Sequence, residues 1–196
     1  MDLIQITQHG IKKIYISVKY LGEQIKSHFG DGSSKGIEIE YIWEDKPLGT
    51  AGSLSLINKL INDNILLINS DLFTNVDFNK MYKSLLSNKA DMVVASTKYK
   101  VDVPYAVFDD ANNNKVSGFK EKPSFTYHSN AGVYIFKRKW ISLIPKNSFF
   151  DITDLMELII DENKKIIHEP ILGYWVDIGN PDDYKNAKEL IKHFDA

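Results

Sequence analysis

Cysteine is absent from the 196 residues of this chain. Without thiols there can be no disulfide framework, no thiolate nucleophile and no zinc–sulfur site. The absence is compatible with a reducing compartment. The fold must therefore be stabilised by packing without disulfides. Any metal site or catalytic group must use oxygen and nitrogen atoms.

The sequence also lacks a long apolar run, a basic stripe and a secretory leader pattern. No stretch approaches the roughly 20 apolar residues that a membrane span needs. The net charge of -2 comes from interspersed acids and bases, which is not the footprint of a nucleic-acid binder. We therefore expect a soluble, cytoplasmic protein with neither a membrane nor a nucleic acid as its partner.

Several catalytic signatures are missing as well. The chain has no G-x-S-x-G sequence and no Walker loop, so nothing supports a hydrolase or an ordinary kinase. The histidines, at positions 9, 28, 128, 168 and 193, show no metal-ligand spacing. Carboxylates are the remaining candidates for chemistry.

What the sequence does contain is an alternation of β-branched apolar runs with segments of helical period, which predicts an α/β domain over residues 1–196. We expect a mixed, mainly parallel sheet of about seven or more strands with flanking helices and an inserted hairpin. The predicted strands are 12–20, 37–44, 64–72, 90–99, 129–138, 164–172 and 173–179. The predicted helices are 21–29, 50–61, 77–89, 151–163 and 180–194, and the hairpin is 103–122.

The start of the chain departs from this alternation. Residues 1–10, "MDLIQITQHG", predict the tail of an amphipathic helix ending at Gly10, whereas an α/β sheet usually begins with a strand. If that strand is missing, the sheet should show a gap or an exposed edge beside residues 12–20. An exposed apolar edge favours pairing with another chain, so a homo-oligomer is possible.

The stretch "EDKPLGTAGSL", residues 44–54, places two glycines at the start of a predicted helix. Glycine lets backbone approach a ligand closely, and the first turn of a helix presents unpaired N–H groups. The alternative is a tight turn with Gly52 as a packing glycine.

Two carboxylates follow buried strands. Asp71 follows "ILLINS" and Asp177 follows "GYWV", so both should emerge at the strand ends, where ligands of α/β sheets bind. Brought together, they suit a Mg²⁺ ion that also binds phosphate oxygens. Either Asp taken alone is more often a helix cap or a turn former.

The sequence "FKEKP", residues 119–123, sets Glu121 beside Lys122 at a strand end. Strand neighbours point to opposite faces, so the carboxylate and the ammonium can serve different parts of one ligand. A solvated edge with alternating charge is the alternative interpretation.

Together, the ordered motifs resemble the sugar-1-phosphate nucleotidyltransferases, also called nucleotide-sugar pyrophosphorylases. The motifs are "EDKPLGTAGSL", "LLINSDLF", "PYAVFDD", "VSGFKEKP", "SNAGVYIF", "FDITDLMELII" and "GYWVDIGNPDDYKNA". The match runs from about residue 10 to the C-terminus. It looks most like the bacterial type linked to cystathionine-β-synthase-type regulatory domains and to surface-glycan biosynthesis.

The resemblance implies a Rossmann-like, glycosyltransferase-A-like fold and a Mg²⁺-dependent reaction of a nucleoside triphosphate with a sugar 1-phosphate, giving a nucleotide sugar and pyrophosphate. Asp71 and Asp177 would hold the metal and, with Lys122 at the sugar phosphate, form the catalytic set. The implied substrate-binding residues are Leu48, Gly49 and Thr50 at the nucleoside, Glu121 at the sugar hydroxyls, and Tyr105, Ala106, Asn130, Ala131 and Gly132 around the sugar.

The chain also departs from the family pattern. Ser70 and Ala106 stand where the family usually has glycine. The family's first strand and glycine-rich triphosphate loop have no counterpart here, so the isolated chain is expected to be inactive. Two alternatives remain open: a non-catalytic sugar-phosphate or nucleotide-binding regulatory module, and a metal-dependent glycosyltransferase.

Overall fold

The computed structural model describes residues 3–111, 114–179, 183 and 185. Its α-helices are α1 Leu3–Gln8, α2 Gly22–Phe29, α3 Gly49–Gly52, α4 Phe78–Ser87 and α5 Ile152–Asp161. Its strands are β1 Lys13–Val18, β2 Glu38–Trp43, β3 Asn64–Ile68, β4 Leu72–Thr74, β5 Met92–Asp102, β6 Val107–Ala111, β7 Lys115–Lys120, β8 Ser124–Lys137, β9 Ile166–Pro170 and β10 Trp175–Asp177. None of these described helices is long and apolar enough to cross a membrane.

The largest sheet has four strands in the order β3–β8–β5–β9. Strand β9 is parallel to β5, and β8 is antiparallel to both β3 and β5. Residues 92–95 and 133–136 are buried because both faces of this sheet are covered. The mixed α/β class is therefore confirmed.

Alternation along these strands builds one apolar cluster on each face of the sheet. Val93 and Val133 pack with Met81 of α4 on one face, and Met92 and Phe136 pack on the other with a cluster that includes Leu155 of α5. Helices thus cover both sides of the central strands, and the two clusters share one sheet.

Strand β1 pairs in parallel with β2, and helix α2 provides the crossover between them. In the described part of the chain, β1 has no second partner strand and β3 pairs only with β8. The unpaired edge expected beside residues 12–20 is therefore confirmed. The expected sheet of seven or more strands is not continuous: the described strands form one four-stranded and three two-stranded sheets, and this gap separates the β1–β2 pair from the four-stranded sheet.

Parallel pairing is less prevalent than the alternation predicts. Among the strand pairs of the described residues, β1–β2 and β5–β9 are parallel and the other four are antiparallel. The reason is that the long strand β8 returns from the hairpin and runs between β3 and β5. The predicted hairpin itself is confirmed, with Phe108 opposite Phe119 in β6–β7.

The predicted helix at 50–61 is much shorter than expected. It consists of α3 and a single 3₁₀ segment, Ser53–Leu56, and the chain is extended at Ile57. Ser55 donates its hydroxyl to the Gly52 carbonyl, and the carbonyls of Lys59 and Leu60 accept from Tyr15 and Arg138. The Ser55 hydroxyl thus competes for a carbonyl that a longer helix would use, whereas the Lys59 and Leu60 carbonyls would lie in its unpaired last turn.

The predicted strand 64–72 is interrupted at residues 69–71, so it becomes β3 and β4, and β3 is half-buried.

Of the predicted closing helix at 180–194, only positions 183 and 185 are described, and both are helical. The rest of that helix lies outside the described residues.

Candidate active site

The two carboxylates singled out from the sequence lie on neighbouring strands. Asp71 immediately precedes β4, and Asp177 ends β10, which is antiparallel to β4 with Asp177 opposite Leu72. The Ile178 N–H donates to the Asp71 carbonyl at 2.7 Å. Strand pairing therefore brings together two residues that are far apart in sequence.

Negative charge is concentrated at this point. Partial desolvation, followed by repulsion from Asp71 and Asp183, raises the pKa of Asp177. In the described part of the chain, no group of three or more histidine, aspartate or glutamate side chains forms a metal site. Two carboxylates that repel each other suit a hard divalent cation whose remaining ligands are water and phosphate oxygens.

Several side chains fix β10 against β4. The indole N–H of Trp175 donates to the Ala131 carbonyl at 2.8 Å, and the Thr74 hydroxyl donates to the Tyr174 carbonyl at 2.9 Å. The Tyr174 N–H in turn donates to Asn75 Oδ1 at 3.0 Å. These bonds fix the backbone that leads into Asp177.

The segment 130–132 supports the turn that carries Asp71. Gly132 has a φ of 73°, and a Cβ there would lie 2.9 Å from Asn69 Nδ2 and 3.0 Å from Leu72 Cδ1. Its carbonyl accepts from the Asn69 N–H at 2.9 Å, and its N–H donates to Asn130 Oδ1 at 3.0 Å. Ala131 is fully buried. The segment thus positions the Asp71 turn, and its predicted contact with a sugar stays a prediction.

The hairpin gathers four more of the predicted residues. Val107 pairs with Lys120, so Tyr105 and Ala106 leave one strand where Glu121 and Lys122 leave the other. All four therefore lie at the open end of the hairpin. Lys122 has a φ of 45°, so it sits in a turn and not in a strand. Both Glu121 and Lys122 follow β7, so the expectation that they point to opposite faces of a strand is wrong.

The glycine-containing loop is organised differently from the expected anion site. The N–H groups of Ala51 and Gly52 both donate to the Phe150 carbonyl at 3.0 Å, and the Thr50 N–H donates to Asp151 Oδ1 at 3.0 Å. The first-turn donors are used within the protein, so α3 does not offer them to a ligand.

The loop glycines allow the chain, and not a ligand, to approach closely. A Cβ on Gly49, whose φ is 75°, would lie 2.7 Å from Asp151 Oδ1. A Cβ on Gly52 would lie 2.5 Å from the Ser148 carbonyl oxygen. Gly52 is therefore a packing glycine, although it packs on the segment before α5 and not on the sheet.

Sequence reasoning missed two acidic residues that shape this loop. Glu44 Oε2 accepts from the Leu48 N–H at 3.0 Å, and Asp151 accepts from Thr50. Asp151 also donates its own N–H to Asp154 Oδ2 at 2.8 Å. The Asp-x-x-Asp spacing at the start of α5 is a capping-box pattern that identifies Asp151 as a helix start, but no sequence signal indicates its contact with Thr50.

Comparison with known proteins adds the remaining observation. A family model described as "Nucleotidyl transferase" matches residues 2–193. The chain belongs to this nucleotidyl transferase family. This membership confirms the resemblance, whereas no comparison addresses the link to cystathionine-β-synthase-type domains. Members of the family typically use a divalent metal ion.

Three curated relatives illustrate the range of the family. Mannose-1-phosphate guanylyltransferase of Mycobacterium tuberculosis is 29% identical over 97% of this chain and 55% of its own length. D-glycero-alpha-D-manno-heptose 1-phosphate guanylyltransferase of Aneurinibacillus thermoaerophilus is 33% identical, over 96% of this chain and 82% of its own. UTP–glucose-1-phosphate uridylyltransferase of Synechocystis is 30% identical, over 93% and 52%. The chain thus spans about half the length of two of these three relatives.

Solved structures agree on the fold. HddC from Yersinia pseudotuberculosis superimposes with a TM-score of 0.72 at 23% identity, covering 96% of this chain and 83% of HddC. A second HddC structure, complexed with GMP-PN, gives a TM-score of 0.69 at 22% identity, with the same coverage. At this identity the likeness establishes the nucleotidyltransferase fold alone.

Proposed function

We propose that this chain carries a domain that transfers a nucleotidyl group from a nucleoside triphosphate to a sugar 1-phosphate. In this reaction a phosphate oxygen of the sugar 1-phosphate forms a bond to the α-phosphorus, and the bond between the α-phosphorus and the bridging oxygen breaks. Pyrophosphate leaves with that electron pair, and the product is a nucleotide sugar, used for surface polysaccharide or glycan synthesis. The protein's part is positioning and charge neutralisation.

The observation that carries the proposal is that the β4–β10 pairing places Asp71, immediately before β4, beside Asp177, at the end of β10. We propose that both carboxylates hold Mg²⁺, since two carboxylates and phosphate oxygens form the ligand set that this ion prefers. When bound, Mg²⁺ offsets the negative charge of the phosphates. Asp71 and Asp177 themselves orient the ion at the ends of two hydrogen-bonded strands.

The open end of the hairpin is the proposed sugar-phosphate side. Glu121 accepts hydrogen bonds from sugar hydroxyls, and Lys122 donates to the phosphate that attacks. Tyr105, which is 74% exposed, and the neighbouring Ala106 complete this side. In the segment Asn130–Gly132, which supports the Asp71 turn, the exposed Asn130 is the proposed sugar contact, because Ala131 is fully buried.

The loop at Leu48–Thr50 is the proposed nucleoside side. The Leu48 side chain is fully buried, and its N–H is bonded to Glu44. Contact with a base therefore falls to the partly exposed Gly49 and to the exposed Thr50. The Glu44 and Phe150 bonds keep this backbone in one conformation before substrate arrives.

We further propose that residues 1–196 act as one nucleotidyltransferase domain in the cytoplasm, where nucleoside triphosphates are made. Two of the three curated relatives named above are guanylyltransferases and one is a uridylyltransferase. GTP and UTP are therefore the first triphosphates to test, with mannose, heptose and glucose 1-phosphates as acceptors.

The experiment is a pyrophosphate-release assay on the native polypeptide that contains this chain. Each triphosphate is combined with each sugar 1-phosphate, with Mg²⁺ present or replaced by EDTA. We expect Mg²⁺-dependent release for at least one combination, with the nucleotide sugar identified by mass spectrometry. Release from no combination, by a protein that nevertheless binds these substrates, would favour a regulatory binding module instead.

A further inference from the structure

Two histidines meet on one face of the central sheet, across strand β5. His128 belongs to β8 and His168 to β9, and these strands lie on either side of β5. Their ring centres are 4.8 Å apart, with an angle of 47° between the ring planes. Both residues are exposed. The order of the strands brings the two rings together, which is why the spacing of histidines along the sequence does not reveal the pair.

The geometry of the two rings fits a shared metal ion. Aromatic pairs favour offset-stacked or edge-to-face packing, and an angle of 47° is neither of these. An imidazole nitrogen lies about 1.1 Å from its ring centre and about 2.0 Å from a bound Zn²⁺, so two rings on one ion, at an angle of about 90° to 110°, have centres about 4.4 to 5.1 Å apart. The observed separation of 4.8 Å falls within that range.

Ser96 of β5 orients one of the rings. Its hydroxyl oxygen lies 2.8 Å from Nδ1 of His168. Ser96 is only 3% exposed, so the position of this hydroxyl is fixed by packing. When Nδ1–H donates to Ser96, the free lone pair of His168 is on Nε2. Histidines that bind metals commonly donate their other ring N–H in this way, which fixes the tautomer and the direction of the ring.

The charged groups nearby indicate which kind of ion the pair suits. Glu169, the residue after His168, forms an ion pair with Lys80 at 2.6 Å. Lys98 lies opposite His128 in the β5–β8 register and is exposed, so it adds positive charge and no ligand. Mg²⁺ requires oxygen ligands, whereas neutral imidazoles bind transition metal ions. The histidine pair therefore suits an ion that is bound through nitrogen.

We propose that His128 and His168 form a two-histidine binding site for a divalent transition metal ion of the Cu²⁺, Ni²⁺ and Zn²⁺ group. Nε2 of His168 and one ring nitrogen of His128 are the protein ligands, and water fills the other positions. Ser96 is a positioning residue. The bound ion ties β8 to β9 across β5. The site uses none of the residues proposed for nucleotidyl transfer, so it does not depend on that function.

The test uses the 196-residue chain without substrates and Cu²⁺ as the probe, because Cu²⁺ binds most tightly among these ions. Calorimetry measures affinity, and electron paramagnetic resonance counts the nitrogen ligands. We expect one ion per chain with two imidazole nitrogens. His128→Ala and His168→Ala should each weaken binding by about ten-fold or more, and Ser96→Ala, which keeps both ligands, should weaken it by about ten-fold.

The matched control is His28→Ala. His28 is an exposed histidine of α2 whose ring contacts Phe29, and its replacement should leave binding unchanged. Circular dichroism verifies that each variant folds. Equal binding by the double variant His128→Ala/His168→Ala would place the ion elsewhere and overturn the proposal, and full affinity in Ser96→Ala would overturn the role of Ser96.

A competing interpretation gives a different result. If the two histidines and Lys98 instead form an anion site, inorganic phosphate should raise the melting temperature, and Lys98→Ala should abolish that shift. This result, together with a copper spectrum that lacks two imidazole nitrogens, would overturn the metal site.

Discussion

The sheet β3–β8–β5–β9 and the pair β1–β2 differ in how they are covered. In the sheet, Met92, Val93, Val133 and Phe136 are completely buried because helices pack on both faces. In the pair, Ile14 and Ile16 are only half-buried and one edge of β1 has no partner among the described residues. Asp71 and Asp177 lie beside the first region, and the loop at Leu48–Thr50 follows the second. The proposed metal and sugar side therefore has the more rigid base.

The largest expected effect is a loss of activity when the proposed metal ligands, but not the nucleoside loop, are substituted. Asp71→Asn and Asp177→Asn should each lower the rate of pyrophosphate release by about 10³-fold, because each removes a ligand of an ion that offsets phosphate charge. Asp45→Asn, an exposed acid on the nucleoside loop, is the matched control and should retain full activity. The assay is run on the native polypeptide, with circular dichroism to verify folding. Equal losses of activity in all three variants would contradict a specific metal-binding role for Asp71 and Asp177.

Next in size is a comparison of stability. Leu155→Ala, at a fully buried position of α5, should lower the free energy of unfolding by about 3 kcal/mol, because it leaves a cavity against the sheet. Ile14→Ala, at a half-buried position of β1 that lines a cavity between β1 and β3, should lower the free energy of unfolding by only about 1 kcal/mol. Urea unfolding of the 196-residue chain measures both. A larger loss at Ile14 would mean that β1–β2 is packed as firmly as the sheet.

A smaller effect concerns pH. Burial raises the pKa of Asp91, but hydrogen bonds from Lys139, Lys137 and Trp140 lower it more, so its pKa in the folded protein is below the ordinary value. Its contribution is therefore present above the unfolded pKa of about 3.9 and is lost as the pH falls through the lower folded value. Asp91→Asn should cost about 2 kcal/mol at neutral pH and flatten the acid limb of stability against pH.

The control for this titration is Glu38, in the two-stranded pair β1–β2. Lys13 forms ion pairs with Glu38 and Glu40 at 2.8 and 3.1 Å, but all three groups are substantially exposed. Glu38→Gln should leave the acid limb unchanged because water screens such pairs. An acid limb that Asp91→Asn leaves unaltered would contradict the prediction.

The smallest expected effect is on ligand binding to the 196-residue chain. A sugar 1-phosphate should raise the melting temperature by a few degrees more than a triphosphate does. The reason is that Lys122, the predicted cationic contact, can serve one phosphoryl group but cannot offset a triphosphate. Differential scanning fluorimetry at matched concentrations tests this. A larger shift with GTP would mean that other residues bind the phosphates.

Much of the fold was predictable because local signals agree with tertiary packing. A helix was predicted to begin at residue 77, and Asp77 caps it, since its Oδ1 accepts from the Lys80 N–H at 2.9 Å. The buried run at Met92–Ala95 likewise marked a central strand. By contrast, the antiparallel course of β8 is set by which strands it joins, and no local pattern encodes that choice. Local patterns predict elements better than they predict neighbours.

The candidate site was predictable in part. Asp71 and Asp177 were identified by their places after apolar runs, and β4–β10 pairing now supplies the proximity that spacing could not. Alternation failed at Lys122 because a positive φ interrupts the strand there. The donors of Thr50, Ala51 and Gly52 looked free in the sequence because their acceptors, Phe150 and Asp151, lie about a hundred residues away.

The position of β8 has a consequence for synthesis on the ribosome. Residues 64–68 and 92–94 are separate strands until residues 133–137 arrive to pair with both of them. The central sheet therefore cannot form while the first two thirds of the chain are being made, and the apolar strands β3 and β5 remain without their shared partner during that time. Such long-range pairing slows folding and prolongs exposure to aggregation. We expect nascent chains that end before β8 to depend on chaperones more than chains released after it.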